Sequence, residues 1–600
     1  MVAISSKFDN STIPANSTSL VFATFSKLVT IMLSVVGVVV LFPVAVGPLV
    51  LVLLYRRLLQ SVGPWVRPQL TKMVTARGAI FSGDAVYCRE SQIWLIRDVA
   101  YQFECIFDAE SKAINGFDLR GPRDLPVTVA AKYGLFVMSH INSNVFLTLN
   151  PTPLMVLTSE APVTFPPTIN IVLESELDER MEIGRLRKIF EERIISVRKG
   201  DDDDAKEFKY PEFQQFIRPW GGYHWWEWDS SFDLSQHVKY HRIQVASESL
   251  RDEALSKFHE QLLQSGWPKN KPVWEMWLVD VDVEKGDNFT SRSTLFTKLH
   301  HSLADGFSLV SVFSNLSSKN YTSGNKPSQR KQRPLNRPLW KSILFLTTFP
   351  LRAVYEGSAT LLQRVFQPPP FLAPLFPSTN RMHTACTKPI PLETIKDIKN
   401  HFGVTFTSTI HSVLAGALRD LMIFKGNPVI IPTNFPTLVP TPLAGHPEHV
   451  LRNYLGGALL NLQTGEADPI KRLGASAQEY EQMNRSTFPL LGMIGLKVAG
   501  CLPAWWVWLV GRNWLTSSYF TNFPSGKALD LDGVSVIGVK TGMGVFAGQT
   551  GLGVTAVSYL NDITISITGH GSVFSETDVK KLVTYLEQQI TFLQAQISPV

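Results

Sequence analysis

Alternation of apolar and polar residues along short segments of the chain predicts several β-strands. Residues 295–299 alternate in this way just before two adjacent histidines, and successive side chains of a strand point to opposite faces. The alternation therefore places His301 on the face of Leu295 and His300 on the face of Phe296. Of the two histidines, His301 is the better candidate for the inner face of the sheet.

Apolar residues spaced three and four apart predict helices elsewhere. One such stripe covers residues 250–262 and another covers residues 579–593, and Ser575 and Asp578 resemble a capping box at the start of the second helix. Between these helices, residues 563–567 alternate as in a strand. The interleaved helices and strands indicate an α/β protein, and no internal repeat is evident.

A long apolar run near the N-terminus predicts a membrane segment. Residues 28–55 contain no charged residue, and their number exceeds the roughly 20 residues needed to cross a bilayer. Arg56 and Arg57 follow directly, and more cations follow the run than precede it. This asymmetry predicts a retained anchor with the bulk of the chain in the cytosol, while Pro43 and Pro48 also allow a re-entrant hairpin.

The anchor prediction has consequences for location and topology. Residues 1–27 would form a short tail on the other side of the membrane. We expect this membrane to be that of the endoplasmic reticulum, with the plasma membrane or a lipid droplet as alternatives. A second apolar run at residues 490–510 contains Lys497, Pro503 and a tryptophan cluster. It fits an interfacial helix at the lipid headgroups and a buried helix of the second lobe equally well.

Length and composition fit a large membrane-associated enzyme. The 600 residues exceed one ordinary hydrophobic core, and 44% hydrophobic content with a mean hydropathy of +0.05 is high for a soluble chain. A net charge of +6 without a concentrated basic stripe argues against a nucleic-acid-binding protein. The four cysteines have neither metal-site spacing nor disulfide density, which fits a reduced cytosolic compartment.

A change of composition divides the chain. Residues 314–338 are polar, basic and rich in turn-forming residues, which predicts a flexible linker between two lobes. The first lobe would cover residues 56–313 and include the two histidines. The second lobe would cover residues 339–600.

The histidines belong to a stretch that combines an ionisable pair with a carboxylate and a glycine. His300, His301, Asp305 and Gly306 follow one another closely at the end of the predicted strand, where Gly306 would allow a close backbone turn. A neutral imidazole can take a proton from an alcohol and return it to a leaving group, so His301 is the candidate general base. A metal site is disfavoured, because strand neighbours face opposite ways and no third ligand is evident.

Residues 300–306 resemble the HHxxxDG motif of the coenzyme A-dependent acyltransferase superfamily. Segments around them narrow the resemblance to the wax ester synthase/diacylglycerol acyltransferase family, because they occur in the order typical of that family. These segments are residues 232–238, 272–277, 413–419, 453–457, 465–469 and 521–524. The resemblance implies a two-lobed, chloramphenicol acetyltransferase-like α/β fold with mixed sheets and a tunnel between the lobes.

The family resemblance also implies roles for individual residues. Asp305 would order the loop through a salt bridge, and His300 would support its neighbour. The family's Asn-Asp pair falls on Thr407 and Ser408, whose hydroxyls either polarise the reacting carbonyl or cap the following helix. Asn453 is a further candidate substrate-binding residue.

The expected function is that of a membrane-associated, acyl-CoA-dependent O-acyltransferase. It would esterify a lipid alcohol, converting a long-chain fatty alcohol to a wax ester or diacylglycerol to triacylglycerol. Acyl-CoA is the expected co-substrate, no cofactor or metal is expected to be bound permanently, and membrane lipids are expected partners. Two alternative functions stay open. One is a non-catalytic lipid-binding or scaffold protein with the same fold, and the other is an acyltransferase for another acceptor such as a sterol or short alcohol. The oligomeric state also stays open.

Overall fold

The structure is a computed structural model, and the strands in the part of the chain that it describes form three sheets. The described residues are 32, 42–75, 169–199, 207–285, 288–317, 339–366, 369–373, 381–426, 431–442, 446–503, 515–524, 528–545 and 550–597. The predicted tail at residues 1–27 and nearly all of the linker predicted at residues 314–338 lie outside the described residues.

The first sheet has six strands, and one of its inner strands ends at the two histidines. In spatial order they are β13 (Asp530–Leu531), β14 (Val534–Met543), β2 (Asn170–Leu177), β7 (Asn288–His300), β6 (Trp274–Lys285) and β5 (Val238–Val245). Only β5 and β6 pair in parallel. Leu295 and Leu299 are buried in one apolar cluster and Phe296 in another, which confirms the predicted strand and its two faces.

The second sheet is also mixed. In spatial order its strands are β11 (Leu455–Leu462), β10 (Phe435–Pro442), β12 (Ser518–Pro524), β15 (Leu552–Tyr559), β16 (Asp562–His570) and β8 (Met382–Cys386), and the short β9 (Ile390–Pro391) also pairs with β16. β12 runs parallel to both of its neighbours, whereas the other pairs are antiparallel. The strand predicted at residues 563–567 is the centre of β16 and is confirmed.

A small antiparallel sheet near the N-terminus is covered by an apolar helix. Its strands are β1 (Leu70–Met73), β4 (Tyr223–Trp228) and β3 (Gln215–Trp220), and the helix is α1 (Phe42–Val66). Leu59 packs in a buried cluster with Trp225. Gly63 lies so close to Trp225 and Trp220 that a larger side chain would overlap their rings.

Helix α1 continues past the uncharged run at residues 28–55. It ends at Val66, so Arg56 and Arg57 lie inside the helix, and the bounds of the membrane segment stay a prediction. Arg56 is 8% exposed and donates hydrogen bonds to the carbonyls of Val74 and Gly500 at 3.3 and 3.5 Å. The protein itself therefore satisfies this cation, which lets the helix continue past the end of the uncharged run.

Helices connect the strands and cover the sheets. In the described part of the chain, the remaining α-helices are α2 (Ile183–Phe190), α3 (Leu234–His237), α4 (Glu248–Gln264), α5 (Gly306–Phe313), α6 (Leu339–Phe366), α7 (Leu392–His401), α8 (Phe406–Phe424), α9 (Pro469–Arg485), α10 (Phe488–Ala499) and α11 (Glu576–Ala595). α4 and α11 confirm the two predicted helices. The capping box between Ser575 and Asp578 at the start of α11 is also confirmed.

The two large sheets meet along β14. Thr555 of β15 donates a hydrogen bond to the Thr541 carbonyl at 2.7 Å, and Thr564 of β16 donates to the Val539 carbonyl at 2.9 Å. Two large mixed sheets with helices confirm the predicted α/β class. β13 and β14 come from the region assigned to the second lobe but complete the first sheet, and the lobe boundaries at residues 313 and 339 stay predictions.

Replacing Gly542 of β14 by alanine should destabilise the protein. The added methyl group would overlap Nε2 of His259 and crowd Leu263, so α4 would have to move away from the sheet. We expect a loss of about 1–3 kcal/mol in the free energy of unfolding, measured by denaturant titration. Gly538→Ala is the matched control on the same strand, because its methyl group would meet no atom closer than 3.6 Å; equal losses in both variants would contradict the expectation.

Candidate active site

The two adjacent histidines are held by the strands on either side of β7. The backbone N–H of His300 donates to the Val273 carbonyl and that of His301 to the Ile169 carbonyl, each at 3.0 Å. His300 is completely buried and His301 is 6% exposed. The end of β7 is therefore fixed on both sides before the chain turns into α5.

The turn after His300 has a counterpart in the second sheet. Nδ1 of His300 lies 2.8 Å from the Ser302 hydroxyl and accepts from the Ser302 N–H at 3.2 Å. At the end of β16, Nδ1 of His570 has the same two contacts with Ser572, at 2.6 and 3.2 Å. The turn that leads from β16 into α11 is thus a structural repeat, whereas the sequence suggested none.

The two turns differ at the residue after the first histidine. That position is His301 in the first sheet and Gly571 in the second, where a side chain would crowd the Arg381 carbonyl. Because the contacts of His300 recur at a turn without a second histidine, they serve the conformation of the turn. His301 is therefore the histidine that distinguishes the first turn chemically.

Asp305 connects the histidine loop to the chain before β11. Its carboxylate caps α5 by accepting from the Ser308 N–H at 3.0 Å, and it also accepts from the Tyr454 N–H at 2.6 Å. Nε2 of His446 lies 3.0 and 3.1 Å from its two oxygens. Burial raises the pKa of Asp305, but His446 and the two N–H donors outweigh burial and hold that pKa below its ordinary value.

Gly306 is the first residue of α5, and its backbone does not have the left-handed conformation that would require glycine. The described glycines with positive φ are Gly221, Gly222, Gly403, Gly426 and Gly533. The sequence suggested a close turn at Gly306, but the chain has already entered the helix there.

Asn453 holds the backbone of the histidine loop. Its side-chain amide donates to the carbonyls of His301 and Ser302 at 2.9 and 3.3 Å, and it is 2% exposed. Asn453 therefore lies beside the candidate base, and its assignment to substrate binding stays a prediction.

The burial of His301 favours its neutral form. Burial lowers its pKa because the charged imidazolium loses hydration, and the backbone of the same residue, the charge of Asp305 and Asn453 oppose this effect without overcoming it. A neutral imidazole at the end of a strand, with its loop pinned from two directions, is able to accept a proton.

Thr407 and Ser408 lie in the first turn of α8. The Ser408 hydroxyl belongs to a capping box with Thr405: it bonds the Thr405 N–H at 3.0 Å and the Thr405 carbonyl at 2.9 Å, and Ser408 is completely buried. The hydroxyl proton of Ser408 is thus used within the cap.

Three residues of the site were missed in the sequence. His446 and Tyr454 are 141 and 149 positions from Asp305, and neither has a local pattern that indicates the contact. Ser302 had a usable signal, because a serine two residues after a histidine occurs at both turns. Within the described ranges, no group of three or more His, Cys, Asp or Glu residues is arranged to hold a metal ion.

Comparison with known proteins identifies the class. The catalytic-domain model of wax ester synthase/diacylglycerol acyltransferases matches residues 205–410, and the C-terminal-domain model of the same family matches residues 451–594. Two Mycobacterium tuberculosis proteins provisionally named as diacylglycerol O-acyltransferases are similar to the chain. One is 24% identical over 401 residues, covering 62% of this chain and 84% of its own, and the other is 26% identical over 309 residues, covering 46% and 63%.

A solved structure of a wax ester synthase/diacylglycerol acyltransferase from Marinobacter aquaeolei VT8 covers 72% of this chain and 95% of its own, with 17% identity and a TM-score of 0.47. The two domain models together match more than half of the chain, and the first of them includes the histidine loop. This match defines the protein as an enzyme of the O-acyltransferase class. The chain belongs to the wax ester synthase/diacylglycerol acyltransferase family.

Removing the hydroxyl at the two repeated turns should separate stability from activity. Ser302→Ala and Ser572→Ala each delete one hydrogen bond to a buried histidine, so both should lower the free energy of unfolding by about 1 kcal/mol. Only Ser302→Ala should also lower kcat for acyl transfer, because only that turn carries His301. Unfolding titrations and steady-state rates of both variants check this; an equal loss of kcat in both would contradict it.

Proposed function

We propose that the protein transfers an acyl group from acyl-CoA to the hydroxyl of a lipid alcohol at a membrane surface. The acceptor is a long-chain fatty alcohol, which gives a wax ester, or diacylglycerol, which gives triacylglycerol. The observation that carries this proposal is the buried His301 on a loop held by Asn453 and Asp305. The names of the mycobacterial relatives support diacylglycerol as one acceptor.

His301 acts as the general base in the proposed reaction. It removes the proton from the acceptor hydroxyl while that oxygen attacks the thioester carbonyl carbon. A carbon–oxygen bond forms and the carbon–sulfur bond breaks, so the acyl group becomes an ester and the electron pair leaves on the coenzyme A sulfur. The imidazolium of His301 then returns its proton to that sulfur, which regenerates the neutral base without a covalent acyl-enzyme.

The neighbours of His301 divide the remaining work. His300 and Asp305 keep the loop in one conformation, and Gly306 starts the helix that follows it. Asn453 fixes the loop backbone beside the reacting atoms. For the developing charge on the carbonyl oxygen, Thr407 is the better of the two hydroxyl candidates, because the Ser408 hydroxyl is used in the helix cap.

The exposed face of α1 supports attachment to a membrane. Among residues 49–66 of α1, whose burial is described, the buried positions Arg56, Leu59 and Gly63 form a narrow stripe, whereas Leu54 and Trp65 are 60% and 90% exposed. The segment at residues 49–66 is the single candidate membrane span among the described residues, by length and composition. Large apolar side chains exposed along a helix are stabilised by contact with lipid rather than water.

Helix α10 has a second exposed apolar surface, which also supports attachment to a membrane. None of its residues is fully buried, and Ile494 and Val498 are 42% and 37% exposed, which favours the interfacial over the buried interpretation of this segment. The tryptophan cluster after it lies outside the described residues. The endoplasmic reticulum and the cytosolic orientation of the lobes stay predictions.

His301→Ala should abolish ester formation. Membranes containing the protein, supplied with labelled palmitoyl-CoA and either hexadecanol or diacylglycerol, should form labelled ester, and the variant should lower kcat about 10²- to 10⁴-fold because the general base is lost. His401→Ala, which changes an exposed histidine on α7, is the matched control and should retain the full rate.

The same assay separates the alternatives. No ester from the folded protein with either acceptor, but ester with a sterol or short alcohol, would replace the proposed acceptor. No ester with any acceptor, together with unchanged lipid binding in His301→Ala, would favour a non-catalytic lipid-binding protein, for which the capping role of Ser408 is the supporting observation.

Charges placed on the exposed face of α1 should weaken membrane attachment. Leu54→Glu with Leu58→Glu removes two exposed apolar side chains, each worth roughly 1.5–3 kcal/mol when buried in lipid. Flotation with lipid vesicles should give at least about a tenfold lower bound-to-free ratio. Gln60→Glu with Ser61→Glu adds the same charge at polar positions of the helix and should change it much less; identical effects of the two pairs would refute a lipid contact of this face.

A further inference from the structure

His446 is a partner of Asp305 that no local pattern along the chain indicates. It lies before β11 and reaches across to the histidine loop, where Nε2 is 3.0 and 3.1 Å from the two carboxylate oxygens. Its side chain is 11% exposed and that of Asp305 is 5% exposed, so the pair is shielded from solvent but not sealed from it. Protons can therefore still exchange at His446.

The contacts of His446 determine its protonation state. Nδ1 lies 3.1 Å from the Pro447 carbonyl oxygen, and Nε2 lies against the ionised Asp305. Both partners only accept hydrogen bonds, so each ring nitrogen must carry a proton to bond its partner. This arrangement fits the imidazolium form, because a neutral ring would direct one lone pair at an oxygen.

The surroundings of His446 favour that charge. Asp305 and Arg452 are the charged groups with the largest effect on it, and the rings of Phe307 and Tyr454 lie 5.8 and 5.6 Å away. Burial lowers the pKa of His446, and Arg452 lowers it further, but the hydrogen bond and charge of Asp305 outweigh both and raise the pKa above its ordinary value.

Asp305 transmits the state of His446 to the candidate base. The same carboxylate caps α5 and accepts from the Tyr454 N–H, next to Asn453, which bonds the His301 carbonyl. Loss of the positive charge would leave a buried carboxylate with less compensation, and the loop would have to rearrange to hydrate it. A shift of the loop moves His301 relative to the reacting atoms, to which proton transfer is very sensitive.

We propose that His446 is a positioning residue: its imidazolium holds Asp305, and thereby the loop that carries His301, in the conformation required for acyl transfer. The inference rests on the proposed function and deepens it, because it adds a titrating partner from a distant segment. The sign of the pH dependence follows. A raised pKa means that the stabilisation is complete below about pH 6.5 and is lost as pH rises through the pKa of His446.

The first test compares kcat and KM between pH 6 and pH 10 for the natural protein, His446→Arg and His446→Gln. Arginine keeps the charge at every pH, so His446→Arg should retain kcat at high pH where the natural protein loses it. His446→Gln should have kcat lowered roughly tenfold at pH 6.5 with little change in KM, and without the alkaline loss. Burial lowers the pKa of Lys298 to about 8. Because all three proteins contain Lys298, a loss of kcat caused by its deprotonation would occur equally in all three and would not be mistaken for an effect of His446.

The outcomes are distinct. An alkaline loss at the same pH in the natural protein and in His446→Arg, or a natural kcat in His446→Gln at pH 6.5, would overturn the proposal. Restoration of kcat by arginine but not by glutamine supports it, because a side chain that only fills space would not distinguish the two by charge.

A second test does not need activity. Thermal unfolding of the natural protein, Asp305→Asn, His446→Gln and the double variant measures the coupling between the two side chains as a function of pH. The coupling should be present at pH 6.5 and vanish as pH rises, and additive effects at pH 6.5 would overturn the proposal. If coupling is present but no acceptor is acylated, the proposed function fails while the role of His446 in holding the loop stands.

Discussion

A buried carboxylate constrains the candidate site. Ionised Asp305 has lost most of its hydration, a loss that is costly unless every lone pair finds a donor. The donors come from both sides of the site: Ser308 from the helix that follows the histidines, and Tyr454 and His446 from a segment about 140 positions away. The conformation of the histidine loop and the docking of that distant segment therefore depend on each other, because both supply donors to the same carboxylate.

Periodic local features of the fold were predictable from the sequence. The strand before the histidines, the strand at residues 563–567 and helix α11 with its capping box each follow from apolar spacing within one element, where side-chain geometry alone sets the pattern. The choice of His301 as the candidate base also came from residues within seven positions, and its role stays a prediction.

What the sequence could not provide depends on distant contacts. The pairing of His446 with Asp305 and the insertion of β14 into the first sheet join segments that have no mutual signal along the chain. The continuation of α1 past the uncharged run also depends on contacts outside the helix, because Arg56 is buried against Gly500 and Val74. The repeated turn escaped notice because its two copies share little beyond a histidine and a serine.

The position of β14 has a consequence for how the chain is made. β2 pairs with β7 on one side, but its other edge meets β14, which begins roughly 360 residues later in the chain. At a synthesis rate of about 5–20 residues per second, that edge waits on the order of 20–70 s for its partner to leave the ribosome. An unpaired inner strand invites pairing with other chains, so this edge is open to mispairing until synthesis is almost complete.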